Sequence, residues 1–113
     1  MKEKRLVNTE TKEHFKRNWS KYDPDATSFI LVSDLPNLLL DLGEPLGWDS
    51  TFKSDHLKQY NFITEMNLLS YHNSQHYNFI EVLENLAMLL ILNMEIDKYM
   101  KEVSRVESIG RVK

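Results

Sequence analysis

One stretch, Tyr22-Asp-Pro-Asp-Ala-Thr-Ser-Phe-Ile30, constrains the fold of this chain more than any other. Pro24 pushes Asp23 away from helical geometry, so a helix arriving from the N-terminal side has to end there. Beyond the proline, side-chain oxygens recur at Asp23, Asp25 and Thr27, and an apolar run follows at Phe29, Ile30 and Leu31. Ser33-Asp34-Leu35-Pro36 then reads as a new helix start, with Ser33 as its cap and Pro36 in the first turn, where a missing N–H is harmless. Helix, a loop of about twelve residues with oxygens at alternate positions, and helix again is the outline of an EF-hand. Asp23 falls at loop position 1, Asp25 at 3, Thr27 at 5 and Asp34 at 12. Ile30 falls at position 8, where paired hands join through a short strand.

Two positions depart from a working metal site. The sharp turn at position 6 calls for glycine, which reaches positive φ without steric cost, and here it is Ser28. Position 12 calls for a glutamate that grips the ion with both oxygens, and Asp34 is one methylene shorter. Any calcium affinity is expected at or below the weak end of the hand's range, Kd about 10⁻⁴–10⁻³ M. No other cofactor is implied.

The flanking helices follow from apolar spacing. Phe15, Trp19 and Tyr22 recur at i, i+4, i+7, which predicts a buried stripe on a helix from Glu10 or Thr11, capped by Thr9 or Thr11. Leu35, Leu38, Leu39 and Leu42 predict a short second helix that Gly43 ends. Gly43-Glu-Pro-Leu-Gly-Trp48 interrupts regular structure, while Leu46 and Trp48 are apolar enough to pack back on the core. A third helix is predicted from Ser54, with Asp55 in its first turn and Leu57, Tyr60, Ile63 and Met66 or Asn67 as its stripe. Placing Tyr77 at position 8 of a second loop puts Ser70, His72, Ser74 and Glu81 at positions 1, 3, 5 and 12. That loop has one carboxylate where calcium wants three or more.

The fourth helix opens near Phe79. Phe79, Val82, Leu83, Leu86, Leu90 and Met94 make one face, and other apolar residues cover much of the rest. A helix apolar nearly all round must be buried on more than one side. Ile80, Met88, Ile91 and Leu92 exceed what a small core covers and are predicted to be a partner-binding face, unless Leu6 and Val7 of the N-terminal arm fold over them. The pattern extends through Ile96, Tyr99, Met100 and Val103 toward Gly110. The organisation read here is a flexible arm at 1–9, an EF-hand-like domain at 10–100, and a basic helical extension or tail at 101–113.

Composition narrows the function classes. With no cysteine, the chain has neither a disulfide framework nor thiolate chemistry, which fits a reducing compartment. The longest wholly apolar run, Leu86–Leu92, is far short of the ~20 residues that cross a bilayer. Charge is uneven: residues 1–21 are net +4, 22–97 net −10 and 98–113 net +3. An acidic body with basic ends offers no continuous basic face for nucleic acid. The ends are either solvated tails or lie near anionic lipid or an acidic partner. His72 and His76 have zinc-like spacing only if helical and fall in a predicted loop, and His14 and His56 read as surface residues. No catalytic triad, phosphate-binding glycine loop or apolar carboxylate pair is present, so an enzyme is not expected.

The segments Phe15-Lys-Arg-Asn-Trp-Ser-Lys-Tyr-Asp-Pro-Asp-Ala-Thr-Ser-Phe-Ile30, Asp34-Leu35, Glu44-Pro-Leu-Gly-Trp48 and Met66-Asn67-Leu68 resemble a known family. It is the EF-hand-like domain of four-repeat voltage-gated calcium and sodium channels, which follows the last pore-lining helix on the cytoplasmic side. The likeness runs from about Glu10 to Met94. It implies an all-α fold, a pair of degenerate EF-hands joined loop to loop through Ile30 and Tyr77. It also implies a regulatory role, coupling gating or inactivation to calmodulin, calcium or accessory proteins at the inner face of the plasma membrane. The family's usual calmodulin-binding IQ motif does not appear before Lys113, and no pore segment precedes Met1. The chain therefore reads as either a truncated tail domain or a free-standing relative. An independent calcium sensor or buffer, or an EF-hand scaffold subunit outside channels, are the other readings.

Overall fold

In the computed structural model residues 8–111 are described, with side chains as far as Val103. Asn8 starts helix α1 (Thr9–Ser20): its side-chain oxygen accepts from the Thr11 N–H at 2.8 Å and from the Thr11 hydroxyl at 2.9 Å. The cap is therefore Asn8, and Thr9 is helical instead of part of an arm. Leu6 and Val7, the residues expected to fold back, lie outside the described part.

After the Asp23 loop, strand β1 (Phe29–Leu31) leads through a single 3-10 turn into α2 (Leu35–Leu42). Ser33 does not cap this helix. It lies inside the 3-10 turn Val32–Asp34, and Asp34 precedes the helix without a side-chain capping bond. Leu35, Leu38, Leu39 and Leu42 are all buried, as their spacing requires. Gly43 ends α2 at φ +64, a conformation that glycine adopts without penalty.

The Pro-Leu-Gly-Trp segment then turns back over the end of α2. Gly47 N–H donates to the Gly43 carbonyl at 2.6 Å and Trp48 N–H to the Leu39 carbonyl at 2.8 Å. A Cβ on Gly47 would lie 2.4 Å from the Leu39 oxygen and 2.7 Å from Gly43 backbone atoms, so only glycine allows this approach. Leu46 and Trp48 are buried as a result, and Trp48 stacks on Phe52 with centroids 4.6 Å apart.

Helix α3 (His56–Met66) keeps Ile63 and Met66 of its predicted face but not Leu57 and Tyr60. Asp55 is its cap, accepting from Lys58 N–H at 3.0 Å, so the start lies past Ser54. Leu57 and Tyr60 are exposed at 69% and 68%, whereas Gln59 and Met66 are buried and Phe62 and Ile63 are partly buried. Phe62 packs edge-on against Trp48 and Phe52, and that aromatic cluster sets the helix's rotation.

Strand β2 (His76–Asn78) pairs antiparallel with β1, with Ile30 opposite Tyr77. It runs directly into α4 (Phe79–Arg111), whose 33 residues span about 50 Å at ~1.5 Å per residue. Phe79 meets Phe15 and Trp19 at 5.3 and 5.1 Å between centroids, closing the core with Val82 and Leu86. Asn85 donates to the Met66 carbonyl at 2.9 Å and so fixes the end of α3 against α4. The whole is mostly helical with one two-stranded sheet. Among the described residues no helix is long and apolar enough to cross a membrane.

Candidate functional site

The Asp23 loop is closed on itself. Asp23 is 93% buried at the end of α1, and its two oxygens accept four hydrogen bonds. Oδ1 takes Thr27 N–H at 2.9 Å and the Thr27 hydroxyl at 2.8 Å. Oδ2 takes Ser28 N–H at 2.8 Å and the Trp19 indole N–H at 3.1 Å. Burial pushes this carboxyl up, but the hydrogen bonds from Thr27, Ser28 and Trp19 outweigh it and hold the pKa below the usual aspartate value.

The predicted ligands therefore do not converge. Asp23 is turned inward to staple the loop, Thr27 spends its hydroxyl on Asp23, and Asp25 is exposed. Asp34 is half-buried in its 3-10 turn. Ser28 does take the positive φ that position 6 needs, at +75, and Ala26 is at +53. The loop thus has a bent backbone at the position 6 turn, with the Asp23 oxygens occupied by Thr27, Ser28 and Trp19. Among the described residues no group of three or more His, Asp or Glu is placed to hold a metal ion.

The second loop is tighter than its sequence spacing implies. Tyr71 and His76 exchange backbone hydrogen bonds at 2.8 and 3.0 Å, and His72, Asn73 and Ser74 form the turn between them at positive φ. Ser70, His72 and Ser74 therefore do not line an open loop. The His72 and His76 rings are 4.9 Å apart, at the tip of this hairpin instead of on a helix. Glu81 accepts only a long bond, 3.4 Å, from Leu69 N–H.

Tyr22 and His14 carry interactions that spacing could not reveal. The Tyr22 hydroxyl donates to Asp41 of α2. Burial first, then that hydrogen bond and the charges of Asp41 and Asp34, push its phenol up to about 12. His14 Nε2 lies 2.9 Å from the Leu42 carbonyl and ties α1 to the end of α2, so it is no free surface residue. The only clue was its position one residue before Phe15 in the aromatic stripe.

The partner-binding quartet is divided by α4 itself. Ile80 and Met88 border a cleft of about 720 Å³ between α4 and α1. Met88, Ile91 and Leu92 border a second cleft of about 460 Å³ between α4 and the end of α3, floored also by Met66 and Leu89 and edged by Glu65 and Glu95. Ile80, Met88 and Leu92 are exposed at 54%, 70% and 55%, while Ile91 is half-buried. One predicted face is thus two grooves sharing Met88.

Residues 14–69 match the family described as the IQ-associated region of voltage-dependent L-type calcium channels. That span runs from His14 in α1 through the Asp23 loop, the Gly47 turn and α3. No curated protein matches the chain.

Proposed function

We propose that this chain is a non-catalytic regulatory module from the C-terminal tail of a voltage-gated calcium channel, acting on the cytoplasmic side of the membrane. The observation that carries this reading is the match to the channels' IQ-associated region, which spans the unit closed by Asp23 and Gly47. The two helix–loop–helix units, joined by Ile30 and Tyr77 across a short ladder, fit a degenerate EF-hand pair. In this proposal the pair is kept as a scaffold, because Asp23 serves its own loop and calcium binding is weak or absent.

The working surface is the groove of Met66, Met88, Leu89, Ile91 and Leu92. Methionine-rich grooves adapt to different helical partners. Its occupant would be another part of the channel, calmodulin or an accessory subunit, and occupancy would bias inactivation. An independent calcium sensor would instead need Asp23 released from four hydrogen bonds, for which nothing in the loop compensates.

The test is a chimeric L-type channel in which this chain replaces the corresponding region, studied by patch clamp with surface labelling. We expect conducting channels whose inactivation kinetics change when Leu92→Glu is introduced, at unchanged surface density. Chimeras that reach the surface and gate identically with and without Leu92→Glu would remove the groove from the mechanism.

A further inference from the structure

The cleft on the α1 side of α4 differs in chemistry from the groove just assigned. Phe79, Leu83 and Ala87 form its floor, and Ile80 and Met88 stand exposed at its edges. Along the α1 edge it is lined by two lysines, Lys12 and Lys16. Lys12 has no carboxylate partner among the described residues. Lys16 pairs with Glu13 at 3.3 Å, but both side chains are more than half exposed, and such pairs contribute little and open readily. Glu84 and Asn85 supply the remaining polar lining.

This local charge opposes that of the protein around it. Residues 22–97 are net −10, whereas residues 8–21, which contain the lysine edge, carry Lys12, Lys16, Arg17 and Lys21 against Glu10 and Glu13. Arg17 on α1 and Lys21 just past its end are exposed as well. The acidic body disfavours an anionic surface; residues 98–113 are also net +3, but at this edge positive charge adjoins an apolar cleft, so attraction there would orient the molecule with α1 and the cleft inward. Both cleft cations are lysines, which act as point charges without arginine's fixed fork. They suit a phosphate headgroup, which needs charge but no peptide-like register.

We propose that the α1–α4 cleft seats an acidic phospholipid of a bilayer surface, with Lys12 and Lys16 on the headgroup phosphate and the acyl chain against Leu83, Ala87 and Met88. The assignment is independent of the channel reading, since it rests on the cleft and its charge alone. Basic residues near an anionic bilayer attract it additively, and salt screens the attraction within a Debye length.

Flotation of the full chain with phosphatidylcholine vesicles, with and without phosphatidylserine, tests it. We expect capture by the phosphatidylserine vesicles only, weakening as salt is raised. Neutralising both lysines (Lys12→Gln with Lys16→Gln) should lower the partition coefficient about thirtyfold. Met88→Gln, which leaves charge unaltered at an exposed position, should lower it severalfold, with far-UV circular dichroism unchanged in every variant. Equal capture by neutral vesicles overturns the proposal. So does undiminished binding of the double lysine variant, which would move the charge to residues outside the cleft. Wild-type-like binding of Met88→Gln would reduce the effect to surface electrostatics and remove the acyl-chain seat. Wild type that ignores vesicles but binds an acidic amphipathic peptide would make the cleft a protein site instead.

Discussion

Removing the Asp23 carboxylate separates a loop staple from a metal ligand, because the two roles predict opposite effects on stability. Asp23→Ala deletes the acceptor of four hydrogen bonds. Thr27 and Ser28 are exposed, so their freed donors reach water, and each loss costs about 1 kcal/mol or less. The Trp19 indole is 4% exposed, and its stranded N–H adds about 1–3 kcal/mol. Ser28 also loses the contact that holds it at φ +75, so the loop loosens with it. The expected loss is about 3 kcal/mol, a large share of the 5–15 kcal/mol typical of a domain. Urea unfolding followed by tryptophan fluorescence measures it, repeated with millimolar calcium or magnesium. In a metal ligand the same substitution would relieve carboxylate repulsion and stabilise the metal-free protein. A midpoint for Asp23→Ala at or above that of wild type refutes the staple, as does stabilisation of wild type by micromolar calcium. The pH dependence has a defined sign. The folded pKa is depressed, so Asp23's contribution is complete above the unfolded carboxyl value of about 3.9 and disappears as pH falls through the lower folded value. Asp23→Ala should flatten the acid limb of the stability curve in that window.

Three further outcomes are expected. Gly47→Ala drives a methyl into three backbone atoms and should cost about 3 kcal/mol or more in urea unfolding, with Trp48 fluorescence shifted to the red. Ile30→Asp places an unpaired charge at a 2% exposed position of the ladder, and its thermal midpoint should fall steeply; a wild-type midpoint would mean the strands do not hold the two units together. Tyr22 has a folded pKa raised to about 12, so the stability it confers is complete below about 10 and is lost as pH rises toward 12. Tyr22→Phe should remove the corresponding phenolate transition from ultraviolet titration and reduce the loss of stability across that range.

Local sequence determined those parts of the fold that follow from chain stiffness and periodicity. Pro24 and Gly43 limit α1 and α2 through backbone sterics, and the leucine stripe of α2 is buried because its spacing matches a single helix face. The pairing of Ile30 with Tyr77 was legible because each occupies the same offset in its loop. Helix α3 holds its predicted stripe at Ile63 and Met66 but not at Leu57 and Tyr60, which are apolar like the packed Phe62. Its rotation depends on Trp48 and Phe52, which reach it only through the Gly47 turn. The direction of the Asp23 oxygens likewise depended on where α1 places the Trp19 indole, and an alternating pattern of oxygens carries no such information. Helix α4 looked like one apolar cylinder with one spare face. Packing of α1 against one side and α3 against the other divided that face into a lysine-edged cleft and an acid-edged groove. Periodicity assigns residues to faces of a single helix, whereas which faces become grooves, and with what charge at the rim, is decided by the neighbouring helices.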